Sequence, residues 1–266
     1  MRSMKASFMV LVSLCSILLL SACADTDSAA EQSANKAELT VSAAASMTEA
    51  LNELKTVFEA EHPGVALFFN YGASGALQQQ IEQGAPADLF LSASAKNMDA
   101  LADKGLIAEG QTANLLSNEL VVVIPKEEGV SVASLQDLQK ESVSAIAVGI
   151  PESVPAGAYA KEALTNEQLW DKLQAKTVQA KDVKQVLQYV ETGNADAGFV
   201  YKTDALSSET VQIAFAVDPA AYSPILYPVG IVKESEHPEE AMELYTFLQS
   251  AAAMDVFKKY GFSEAE

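Results

Sequence analysis

The chain has 266 residues, with 36 acidic against 17 basic side chains, a formal net charge of −19 and only two cysteines. So acidic a composition argues against a nucleic-acid partner, which needs Lys and Arg to neutralise phosphates, and two thiols cannot build a disulfide framework. The apolar fraction of 49% suits a globular core, and the length suits one large domain or two lobes.

Arg2 and Lys5 precede an apolar run over residues 8–20 that ends in small residues, the pattern of an export signal. The run is too short to span a bilayer comfortably. Leu20-Ser21-Ala22-Cys23 resembles a bacterial lipobox, in which the peptide is cut before the cysteine and Cys23 receives the lipid. The alternative is an ordinary secretory signal that happens to contain a cysteine. Cys15 lies inside the signal, so the mature chain keeps no thiol for an internal disulfide. Removing residues 1–22 takes away two basic residues and no acid, so 15 basic against 36 acidic residues leave −21. Residues 24–36, rich in Ala, Ser, Asp, Asn and Gln, have the composition of a flexible tether.

From residue 39 short apolar runs alternate with amphipathic stretches. A strand over 39–43 leads into a helix over about 47–60, where Ala50, Leu51, Leu54, Val57 and Phe58 share one face. A strand at 65–71, a helix at 76–83, a strand at 89–92 and a helix near 96–104 follow. This βαβα order predicts a largely parallel sheet covered by helices. The pattern restarts with the continuous apolar strand at 119–125. It continues with a strand at 146–148, helices at 156–164 and 183–192, and a strand at 197–200. Apolar runs at 211–216 and 227–232 precede a last helix that opens near Pro238, with Glu239 and Glu240 in its first turn, and closes at Lys258-Lys259-Tyr260-Gly261.

No fixed period recurs, so a solenoid or propeller is not expected. The expected architecture is α/β and two-lobed, each lobe a mixed, mostly parallel sheet flanked by helices. Lobe 1 takes residues 38–117 plus 222–266 and lobe 2 residues 118–221, behind a signal at 1–22 and a lipidated cysteine and tether at 23–37. A C-terminal helix returning to the first lobe leaves a cleft between lobes, where small ligands usually bind.

Hydroxyls and amides fall at strand-to-helix junctions, where free N–H groups and the positive end of a helix favour an anion. Ser46 opens Ser46-Met47-Thr48-Glu49, the spacing of a capping box, and capping alone is a sufficient alternative role for it. Ser74 sits in Tyr71-Gly72-Ala73-Ser74-Gly75-Ala76, where flanking glycines let the backbone approach a ligand. That segment falls one residue short of G-x-S-x-G. The two histidines, His62 and His237, each precede a proline at a turn, so nothing in the spacing supplies a base for a serine hydrolase. The carboxylates form neither an EF-hand loop nor an H-E-x-x-H helix and read as a solvated surface; Asp88 reads as tying a turn. Val154-Pro155-Ala156-Gly157 opens one helix and Lys181-Asp182-Val183 another, the latter with Asp182 and Gln185 at capping-box spacing. Tyr201 ends a strand, and its phenol can donate one hydrogen bond if it points inward.

These residues sit within longer blocks: Ala43-Ala44-Ala45-Ser46, Gly84-Ala85-Pro86-Ala87-Asp88-Leu89-Phe90, the run from Val154-Pro155-Ala156-Gly157 to Ala163-Leu164, Gly198-Phe199-Val200-Tyr201, and Val256-Phe257-Lys258-Lys259-Tyr260-Gly261-Phe262. Together and in this order they make the sequence, from about Leu39 to Phe262, resemble the molybdate-binding proteins of ABC transporters, within the type II periplasmic-binding-protein fold. The resemblance implies a tetrahedral dianion, molybdate or tungstate, held in the interlobe cleft. Ser46 and Ser74 would serve as hydroxyl and amide donors, Ala156 and Val183 as amide donors and Tyr201 as a phenol donor. It implies no catalytic residue, no cofactor and no metal beyond the oxyanion, and a membrane permease as partner. With the lipid on Cys23 it places the protein on the extracytoplasmic face of the cell membrane, and so acidic a chain is expected to stay monomeric. The competing expectations are a sulfate, phosphate or iron receptor on the same fold, or a lipid-anchored hydrolase using Ser74. A sugar receptor is disfavoured by a single Trp.

Overall fold

Extended segments rich in Val, Leu and Phe pair into two sheets, and the amphipathic stretches between them become the helices that cover those sheets. The computed structural model describes residues 36–127 and 130–265; the segments expected to form an export signal and a tether, as far as residue 35 and with Cys23 between them, lie outside the described residues. Ala37, expected in the tether, already pairs with Val65 in the first sheet.

In the first sheet β1 (Ala37–Ala44) and β2 (Val65–Gly72) run parallel, linked by α1 (Thr48–Glu61). The helix buries Ala50, Leu51, Leu54 and Phe58, the face that the spacing predicts. Next come α2 (Ser74–Glu82), β3 (Leu89–Leu91), which runs parallel to β1, and α3 (Ala95–Asp103). The 11-residue strand β4 (Ile107–Ser117) was not anticipated, because its middle is polar and half-exposed and contains Gly110. It is held by antiparallel pairing to β10 (Leu226–Val232) and to the short β11 (Ser263–Glu264). The sheet order is β11-β4-β10-β3-β1-β2.

The second sheet is built around β5 (Leu120–Pro125), whose first five residues are all buried, as a strand covered on both faces requires. Following it are β6 (Ile146–Gly149), α4 (Pro155–Asn166), a single turn α5 (Trp170–Leu173), β7 (Thr177–Ala180), α6 (Val183–Glu191), β8 (Ala197–Tyr201), α7 (Lys202–Leu206) and β9 (Val211–Ala216). The order is β7-β6-β8-β5-β9. Four-residue α5 and β7 carry too little periodicity to be read from sequence.

Both sheets are mixed, with a larger antiparallel share than the βαβα order suggests. β6 is parallel to β7 and β8, while β5 is antiparallel to β8 and β9, and β10 is antiparallel to β3 and β4. The antiparallel strands β5 and β10 directly follow the two passages between sheets, through residues 118–119 and 217–225.

The single C-terminal helix expected from residue 238 is two helices, α8 (Pro238–Leu248) and α9 (Ala251–Lys259). The chain turns at Gln249, and Ser250 Oγ caps the new helix by accepting from Ala253 N at 3.2 Å. Lys259 and Tyr260 at its end bond Glu53 of α1 at 2.6 and 2.7 Å. Among the described residues, no helix is long and apolar enough to cross a membrane.

Candidate functional site

The C-terminal ends of β1, β2, β3 and β8 meet the N-termini of α4 and α6 around one small cavity. In open α/β sheets the carboxyl ends of parallel strands are where a crevice forms. Ser46 follows β1, Ser74 follows β2, Ala156 lies in the first turn of α4, Val183 is the first residue of α6 and Tyr201 is the last of β8; all five line the cavity. All five are also nearly inaccessible, at 1–4% exposure. The space open to a water-sized sphere is about 10 Å³, room for one small group rather than the ~300–1,000 Å³ of a drug-sized ligand. A wider groove between α2, α3 and α4 adjoins it and shares Val154 and Pro155.

Ser74 is the first residue of α2, and its Oγ accepts a hydrogen bond from Ala93 N at 2.9 Å. A backbone N–H only donates, so the Ser74 hydroxyl proton remains to be donated elsewhere. Ser46 does not cap α1 as its spacing suggests. It lies in a 3-10 turn, Ala45–Met47, and its side chain makes no capping bond. Its Oγ lies 2.9 Å from the Tyr227 hydroxyl instead. The tight turn buries all three of its residues, which swings Ser46 inward against β10.

Ala156 and Val183 present amides of helix first turns, which have no partner inside their helices. Pro155 at the start of α4 has no N–H of its own to satisfy. A side chain at Gly157 would collide with the carbonyl of Gly149, so glycine there lets α4 seat its N-terminus on the end of β6. At α6, Asp182 accepts from Gln185 N at 2.8 Å, while Gln185 Oε1 accepts from Lys181 N at 2.8 Å. The expected capping box thus closes on Lys181 N, one residue before its standard partner Asp182 N, and neither bond uses the Val183 amide.

The Tyr201 hydroxyl is buried without a hydrogen-bond partner among the described residues. Such an orphan normally costs about 1–3 kcal/mol, so it marks a place built for something else. Burial, and then the neighbouring Tyr227 and Tyr159, push its pKa well above the ordinary value, so the phenol stays protonated.

No Lys, Arg, His, Asp or Glu lines the cavity. Charge stands just behind it. Lys184, next to Val183, bonds both Glu49 oxygens at 2.8 and 2.9 Å and lies 3.4 Å from Asp204 Oδ1. Burial pushes the Asp204 carboxyl up to about 6 although Lys184 draws it down. Burial disfavours the Lys184 ammonium too, but Asp204 and Glu49 together hold its pKa above the usual lysine value.

The hydrolase expectation finds no base here: His62 stacks on Phe58 at 4.3 Å and approaches Glu243 at 3.0 Å, and neither histidine lines the cavity. Among the described residues no group of three His, Cys, Asp or Glu side chains can hold a metal cation. Asp88 ties its turn, accepting from Thr40 N and Ser235 Oγ. Two residues that the sequence did not single out touch the site from behind, Tyr227 on β10 and Asn118 between the sheets. Neither carries a motif; Tyr227 reads as strand packing and Asn118 as a turn residue.

The sequence pattern of the bacterial extracellular solute-binding proteins matches residues 39–263. A Bacillus subtilis protein provisionally named an ABC transporter substrate-binding lipoprotein, YvgL, is 49% identical over 95% of this chain and 96% of its own. The molybdate-binding protein ModA of Escherichia coli is 39% identical over 86% of this chain and 90% of its own. Among solved structures, the periplasmic molybdate-binding protein of Azotobacter vinelandii superposes with a TM-score of 0.76, covering 86% of this chain and 100% of its own at 26% identity.

Proposed function

The chain belongs to the bacterial extracellular solute-binding protein family, and on that premise we propose that it captures molybdate or tungstate and delivers it to an ABC transporter. The observation that carries this reading is the convergence of Ser46, Ser74, Ala156, Val183 and the unpartnered Tyr201 hydroxyl on one small uncharged cavity. A cavity with several hydrogen-bond donors and no carboxylate in its lining suits an ion that is all acceptor. The names of the relatives in Escherichia coli and Azotobacter vinelandii support the same ligand.

A doubly charged anion loses its water on entering, so each oxygen must find a fixed donor. Hydrogen bonds to a charged group contribute about 1.5–3 kcal/mol each, so five can supply the roughly 8 kcal/mol of a micromolar site after ordering costs. Neutral donors suffice, and in a chain of net charge −19 the amide dipoles of α4 and α6 offset the unfavourable field. Because the donors come from both sheets, the ligand favours a form in which the two halves close on it, and that closed form is what a permease would recognise. Export, acylation of Cys23 and tethering outside the cytoplasmic membrane complete the reading, supported by the lipoprotein name of the Bacillus relative.

Isothermal titration of the exported part, without its lipid, against molybdate, tungstate, sulfate and phosphate tests the proposal. Saturable binding of the first two alone is expected. Silence for both removes the ligand assignment and returns the cavity to another anion.

A further inference from the structure

We infer that Lys184 and Glu49 are affinity-determining residues that never touch the ligand: their ion pair is a latch across the cleft, made only when the two halves close, and it sets how slowly the anion leaves. The inference rests on the oxyanion reading of the cavity and concerns what holds that cavity shut.

Glu49 lies in the first turn of α1, shortly after Ser46, and belongs to the half built on the first sheet. Lys184 follows Val183 at the start of α6, in the half built on the second sheet. Lys184 Nζ donates to both Glu49 oxygens, at 2.9 and 2.8 Å. Among the described residues this is the one ion pair that spans the cleft; the others stay within one half, and Lys202 reaches Glu119 in the passage leading into β5. α6 also packs against the Ala45–Met47 turn that carries Ser46. The motion that brings the Val183 amide to the ligand therefore brings Lys184 to Glu49.

Asp204 makes the latch reversible. It rides on α7, in the same half as Lys184, with Oδ1 3.4 Å from the ammonium and without a hydrogen bond. Ser207 Oγ, on that half too, lies 3.5 Å from Lys184 Nζ. A half-buried ammonium stripped of every counter-ion would oppose opening, but opening removes only Glu49 and leaves Lys184 to Asp204. Burial works against the charge on Lys184, yet Asp204 and Glu49 together keep it protonated. The pair thus favours the closed form without leaving the open form an isolated charge, and a contact made in one state only is what shifts a population.

Charge sets the sign of the test. Removing a carboxylate near an anion site eases repulsion, so electrostatics alone predicts that Glu49→Gln binds molybdate more tightly. Loss of a latch predicts the opposite. Glu53→Gln is the control: Glu53 lies one turn further along α1 and bonds Lys259 and Tyr260 within its own half. Lys184→Gln completes a double-mutant cycle, because without Lys184 there is no latch for Glu49 to lose. The comparison of Glu49→Gln with Glu53→Gln stands by itself should Lys184→Gln fail to fold. Dissociation constants come from isothermal titration with molybdate, and release rates from chasing radiolabelled molybdate with unlabelled anion.

The expected result is that Glu49→Gln weakens molybdate binding about fivefold, the upper range for a partly exposed ion pair, with the loss in the release rate rather than in association. Glu53→Gln does not weaken binding, and Glu49→Gln adds no loss in the Lys184→Gln background. Unchanged or tighter binding in Glu49→Gln overturns the inference, as does an equal loss in both backgrounds, which a purely structural role for Glu49 would give; either leaves the molybdate reading intact. A parent that binds neither molybdate nor tungstate overturns that reading and the inference with it.

Discussion

Ser46 and Ser74 are both hydroxyls after strands, yet they are held by different means: Ser74 by a backbone amide and Ser46 by a tyrosine 181 residues away in sequence. Local spacing places both near helix starts but cannot say where a hydroxyl points, which is why the capping role read for Ser46 gives way to its bond with Tyr227. Asp204 shows the same dependence on surroundings. It is fully buried, accepts from Tyr201 N at 3.3 Å, and has its carboxyl pushed up to about 6 from an ordinary 3.8. The folded protein then binds this proton more tightly than the unfolded chain does. Its effect on stability is unfavourable above about pH 6 and is relieved as the pH falls toward 4. Relative to Asp204→Asn, the parent should therefore gain stability on acidification across that window, by at most about 3 kcal/mol. Urea midpoints of the two proteins measured side by side from neutral to acidic pH check this, and parallel curves would refute it.

At the scale of elements, strands and helices with a clear period are legible to within a few residues. Those without one are not. β4 escapes because its middle residues are polar and its place is set by β10 and β11, which come from the far end of the chain. The break between α8 and α9 escapes because the apolar pattern runs on across Gln249 and Ser250. Ser250 is nonetheless a working N-cap, bonded to Ala253 N. Ser250→Ala should cost about 1 kcal/mol of unfolding free energy, and an unchanged denaturation midpoint would show that α9 does not depend on its cap.

Over the whole molecule, the two halves meet at the cavity, and one contact between them is tight. Gly75 N donates to Ser153 O at 3.0 Å, and a Cβ on Gly75 would come within 2.7 Å of that same oxygen. The contact joins the start of α2 to the turn before α4, so it exists only while the halves are together. Gly75→Ala should leave unfolding stability nearly unchanged but weaken molybdate binding by more than about tenfold, since closure then meets a backbone clash. Small-angle scattering checks the cause: the parent should contract with saturating molybdate and the variant should contract less. Equal contraction in both would remove Gly75 from the closing surface.

The sequence by itself determined the types of the elements with a clear period, the α/β class, a cysteine count of two that is too low for a disulfide framework, and the residue kinds at the cavity. Each of these follows from composition, period or a short junction motif. Tertiary structure alone decided how Ser46, Ser74, Ala156, Val183 and Tyr201 are arranged around one cavity, how large the antiparallel share of each sheet is, and that Asn118 and Tyr227 stand behind Ser46. Those outcomes depend on contacts between segments tens to hundreds of residues apart. The direction of a hydroxyl or the partner of a strand is set by whatever packing brings beside it, and no local pattern encodes that.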